Sequence, residues 1–180
     1  MLIAREKRKN NIAEYLLYMW QVEDTIRACE FDMEIIEKRI ISQFTENEKI
    51  RAEIRDWYAN LILMMHEEDI REKGHLSIVQ SLVNDLYDLH QKLLYERKDE
   101  EYLEQYSWAA PNIREFKKKL NGQSSNDIET CLCGLYALLL LRLQKRKVSG
   151  ETQEAMQTFS NMLALLSDRF KQIEAGKTEF

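Results

Sequence analysis

Five glycines and one proline in 180 residues leave this chain almost without the residues that turn a backbone. A β-sandwich or barrel of this length needs a tight turn every few residues, and such turns draw on glycine and proline. Long helices joined by short connections do not. The chain is therefore predicted to be all-α, a single-domain antiparallel bundle of about six or seven helices. Its 32% of charged residues suits helix faces laced with Glu, Lys and Arg.

The apolar periodicity places the elements. Ile12, Leu16, Met19, Val22 and Ile26 recur at helical spacing over Asn10 to Cys29. Tyr15, Leu17, Tyr18 and Trp20 make that helix apolar almost all round, which predicts a central position. Asp32 is placed to cap a shorter helix through Phe44, and Thr45 with Glu48 reads as a capping box for a third, reaching His66 to Ile70. Gly74 ends that pattern, and a fourth helix follows from Leu76 to Tyr95. Asp99 to Leu120 reads as a fifth, interrupted near Ala110-Pro111. After a polar loop at Asn121 to Asn126 comes the most hydrophobic helix, Asp127 to Lys147, also expected near the centre. Ser149 then caps a last helix to Arg169 or Ile173. Residues 1–9, a basic segment, and residues 174–180 are expected to fray, the former extended or paired with acidic residues, because cations at a helix start oppose its dipole.

Charge and composition remove several function classes. A net charge of −5 repels phosphate backbones, and no basic patch alternates with aromatics, so nucleic acid is not an expected partner. The longest apolar run, Leu135 to Leu141, is far shorter than the roughly 20 residues of a membrane span. Arg5, Lys7, Arg8 and Lys9 lead into an amphipathic helix rather than the apolar core of a secretory signal. Three cysteines make no disulfide framework, and a reducing, cytoplasmic setting is expected. Glycine-rich phosphate loops and nucleophile elbows are missing. No cofactor is expected.

Three stretches carry a resemblance. Asn11-Ile12-Ala13-Glu14-Tyr15-Leu16-Leu17-Tyr18-Met19-Trp20-Gln21-Val22-Glu23-Asp24, Glu72-Lys73-Gly74-His75, and Leu139-Leu140-Leu141-Arg142-Leu143-Gln144-Lys145 are similar to a bacterial family of uncharacterised all-helical proteins, a domain of unknown function. The resemblance spans most of the chain. It implies a shared helical fold and a bacterial cytoplasmic setting, and it assigns no activity and no catalytic residue.

Inward-pointing polar side chains are the remaining clue. At about 100° per residue, Glu23 and Arg27 fall within the stripe of Ile12, Leu16, Met19 and Ile26, and Arg142 falls among Cys131, Leu135, Leu138 and Leu139. A buried charge is costly unless paired and hydrogen-bonded. Glu23, Arg27 and Arg142 are thus expected to share a polar cluster, either an ion-pair network that fixes helix register or the lining of a ligand pocket that includes His90 and Tyr15. His90 lies beside Leu82, Leu86 and Leu93, which also fits a hydrogen-bonded core histidine.

Metal chemistry offers one alternative. Glu34-x-x-Glu37 followed by Glu53-x-x-Asp56 resembles the paired carboxylates of helical nucleotide pyrophosphohydrolases, and the resemblance implies Glu34, Glu37, Glu53 and Asp56 as Mg²⁺ ligands. Helix phase supports only Glu37, which falls on an apolar face. Glu72-x-x-His75 lacks the second pair that a di-iron bundle requires. Cys131-x-Cys133 puts its sulfurs on different helix faces. The leading expectation is a non-enzymatic interaction or regulatory protein with a protein partner or a second copy of itself, as in a homodimer. The alternative is a small-ligand-binding or pyrophosphohydrolase-like enzyme.

Overall fold

The computed structural model describes residues 2–45 and 47–176 and contains, among these, eight α-helices and no strand. They are α1 (Leu2–Asn10), α2 (Ile12–Ala28), α3 (Met33–Arg39), α4 (Glu48–Glu67), α5 (Ser77–Gln91), α6 (Glu100–Lys119), α7 (Asp127–Leu143) and α8 (Gly150–Glu174). The all-helical expectation holds, and the helices form one domain around one core.

α2 sits where its all-round apolarity places it, against α1, α5, α7 and α8. Ile12, Leu16, Met19, Trp20 and Ile26 are all buried. α7 likewise meets α2, α5, α6 and α8. α6 and α8 run antiparallel, since Arg169 bonds Asp99 and Glu101 at one end while Asn112 reaches Thr158 towards the other. α4 lies against α3 and a short 3-10 turn at Ile41–Gln43. Its Ile54, Tyr58, Leu61 and Met65 join the core.

Local chemistry moved several boundaries. The expected first helix, Asn10 to Cys29, is α2, and a further helix, α1, precedes it: Asn11 adopts an extended conformation and its side chain accepts from Glu14 N–H, capping α2 just after α1 ends. The basic segment is therefore neither frayed nor extended. It is α1, and Lys7, Arg8 and Lys9 occupy its last turn, where the dipole favours cations. Arg8 forks onto Glu174 at 2.8 and 2.6 Å and lies over the Phe170 ring. Glu174 is thus the ordered last residue of α8, and the expected fraying at 177–180 falls outside the described residues.

Asn47, not Thr45, caps α4 by accepting from Ile50 N–H. α5 runs on into a π-helical turn at Lys92–Glu96. Pro111 does not interrupt α6. The carbonyl of Ser107, which loses its partner to the proline ring, belongs to an exposed residue where water can satisfy it. α7 stops at Leu143, with Lys145 left-handed at φ 55°, so the basic run 145–147 lies beyond the helix.

α7 approaches α8 at Gly134. A Cβ there would stand 2.9 Å from the Phe159 ring and 3.0 Å from the Met156 sulfur, inside van der Waals contact. Gly134→Ala gains about 1 kcal/mol of helix propensity but overpacks the contact, at about 1–3 kcal/mol. The expected result is a net loss of up to about 2 kcal/mol, read as a lower urea midpoint at unchanged slope.

Candidate functional site

Glu23 is the most deeply buried charge on α2, with no exposed surface. It comes to the end of the connection between α4 and α5. Oε2 lies 2.6 Å from His75 Nδ1, and Oε1 accepts the Leu76 backbone N–H at 3.0 Å. The Leu76 N–H can only donate, so Oε1 is an acceptor, and Oε2 and Nδ1 of His75 share one proton between them. Leu76 occupies the cap position of α5 and has no polar side chain of its own. Glu23 and Glu68, which takes the Ser77 N–H and hydroxyl, together do the work of an N-cap. Both carboxylates lie where the helix dipole is positive.

The neighbouring groups extend this clamp. Arg27 bonds the carbonyls of Ile70 and Gly74 and pairs with Asp24 at 2.9 Å. Gly74 has φ +96° and permits the reversal into His75. The His75 ring stacks on Trp20 with centroids 4.3 Å apart and planes at 11°. Tyr136 of α7 meets Trp20 edge-on and donates to Asp24 at 2.6 Å. Burial first, and then Asp24, push the Tyr136 hydroxyl well above its ordinary range, so it stays a donor.

Of the predicted cluster, Glu23 and Arg27 are brought together around one strap of backbone. Arg142 is not: it is exposed, near the end of α7. Tyr15 stands about two turns from Glu23 on α2, half-buried in the field of Arg8. His90 belongs to a separate buried group, with Nδ1 2.7 Å from the Tyr102 hydroxyl and Tyr106 edge-on at 5.1 Å. Tyr106 in turn donates to Asp127 at 3.2 Å. Burial lowers the His90 pKa from 6.5 to about 4, against a weaker pull from Asp127. The imidazole is therefore neutral, and among the described residues its Nε2 has no hydrogen-bond partner. Sequence phase found Glu23 but missed Trp20, His75 and Tyr136 as its company. The Glu72-Lys73-Gly74-His75 stretch was the available signal.

The carboxylate set for Mg²⁺ does not assemble. Glu34, Glu37, Glu53 and Asp56 are all exposed. Glu37 turns outward because Ile36 takes the buried position of α3, and it pairs with Arg55 at 3.2 Å. Glu53 and Asp56 border a different depression beside Arg5 and Trp57. Among the described residues no group of three or more His, Cys, Asp or Glu side chains is placed to hold a metal ion, and no helix is long and apolar enough to cross a membrane.

An open groove of about 430 Å³ lies elsewhere, between α6, α7 and the start of α8. Its apolar lining comes from Phe116, Ala137, Leu138, Leu141, Ala155 and Met156, and its polar lining from Asn112, Glu115, Lys119, Glu151 and Thr152. The Gly134 contact lets Phe159 and Met156 close up against α7 at one side of the groove. On α6, Asn112, Glu115 and Lys119 follow Trp108 at intervals of four, three and four residues, which puts Trp108 on the same stripe. Trp108 is 55% exposed. Sequence reading passed over this groove, whose signal was the surplus of apolar residues around α7.

No curated protein and no solved structure matches the chain. The family model described as Domain of unknown function (DUF4924) matches residues 1–177; the chain belongs to that family, whose function is unknown.

Proposed function

We propose that this chain is a non-enzymatic interaction module that holds an apolar helical stretch of polypeptide in the α6–α7–α8 groove. The observation that carries the reading is the groove itself, open, half apolar and continued by an exposed tryptophan. An amphipathic helix docks by laying its apolar face into such a trough, leaving its polar flanks to meet the rim. The inward charges support the same reading from the other side. Glu23 and Arg27 hold the 70–76 strap, and His90 is closed in the core. They stabilise a scaffold rather than offering groups to a substrate. The three cysteines are free thiols, which fits a reducing, cytoplasmic setting. The overall acidity disfavours nucleic acid as the partner.

Selection of displayed helical peptides on the protein tests the proposal. Peptides with an apolar stripe are expected to bind, and Ala137→Arg is expected to weaken them by at least about tenfold, because Ala137 is exposed and lines the groove. The fold should tolerate that change. Peptides that bind Ala137→Arg as well as the parent, or no enrichment of amphipathic helices, would count against the groove.

A further inference from the structure

We infer that the polypeptide held in this groove is a second copy of the chain, arranged about a two-fold axis so that Trp108 of each copy enters the groove of the other. This rests on the reading of the groove as a docking site. A two-fold interface must be complementary to itself, with a knob and a hole on one face and both signs of charge on its rim. All of these lie here on one face, shared by α6, α7 and α8. Trp108 is the knob, 55% exposed and one turn of α6 from Asn112, where the groove begins. The hole is floored by Phe116, Leu138 and Met156. Trp is the side chain most often found as the anchor of an interface, since it covers a large area with few rotatable bonds.

The rim supplies the charge argument. Lys119 pairs with Glu115 at 2.8 Å and feels the charge of Glu151 across the groove. A partner of one sign would meet repulsion from one of these groups. A second copy turned by a half-rotation presents the same mixture reversed, and its Lys119 can face Glu151. Like-charge contacts across an interface select against wrong partners and fix register.

Sedimentation velocity over a concentration series, with thermal unfolding as a check on folding, tests this. The parent chain is expected to dimerise reversibly. Trp108→Ala, at an exposed site, is expected to weaken the dimer by at least about tenfold without changing monomer stability. Lys119→Glu and Glu151→Lys should each weaken it, and the double reversal should restore it, because the pairs across the axis are then rebuilt with exchanged signs. A parent chain that stays monomeric throughout, or a dimer indifferent to Trp108→Ala, overturns the second copy as occupant. If such a monomer still binds helical peptides in an Ala137-dependent way, the groove reading stands and the self-pairing alone falls. If it binds none, both fall.

Discussion

Glu23→Ala is expected to lower folding stability by about 2–4 kcal/mol, the cost of a buried N–H left without its acceptor together with the space left by the side chain. The Glu23 carboxyl group has no exposed surface and bonds both His75 and the Leu76 N–H. Its loss removes the acceptor at the start of α5 and leaves His75, which stacks on Trp20, without its partner. Glu23→Gln should lose less, because the amide oxygen can still receive the Leu76 N–H while its NH₂ cannot accept from His75. Urea unfolding of both variants gives the comparison, and a cycle with His75→Ala isolates the pair. A loss under about 1 kcal/mol for Glu23→Ala would put the clamp among ordinary surface contacts.

Acid should weaken the fold through His90. The folded imidazole takes a proton only near pH 4, whereas the unfolded one does so near 6.5. Above pH 6.5 both states are neutral and this group leaves stability untouched. As the pH falls from 6.5 towards 4, the unfolded chain gains a proton that the folded chain does not accept. Stability drops through that window by about 3 kcal/mol, from a difference of about 2.5 pKa units at about 1.4 kcal/mol each. Carboxylates contribute their own acid sensitivity, so the measurement is a difference. Urea midpoints for the parent and for His90→Gln, which keeps a neutral partner for Tyr102, should diverge below pH 6.5. Parallel curves would show that the buried imidazole is free to charge.

How far the sequence foretells these features differs from residue to residue. The helices follow from the lack of breakers, and the burial of Glu23 follows from its phase on α2. The break at Asn11 left no such trace, because a cap needs only one polar side chain and an extended residue. Pro111 signals an interruption that α6 escapes by leaving Ser107 at the surface. Arg142 was misplaced for a physical reason: α7 is apolar on nearly every side, so phase does not say which side faces in. The helix also ends one residue later, where side chains reach water. His75 lies off the helices, 52 positions from Glu23, and periodicity says nothing about a contact between a helix and a distant connection. The groove depends on where α8 begins relative to α7, a relation between elements rather than a property of either.

The Arg8 fork onto Glu174 closes a loop of 166 positions. Bringing such distant points together carries an entropy cost that only prior compaction removes. The first helix should accordingly dock late, once the long final helix has found its seat. In hydrogen exchange its amides should open together with the last turns of that helix, ahead of the core, as a small unit that comes and goes while the remainder holds.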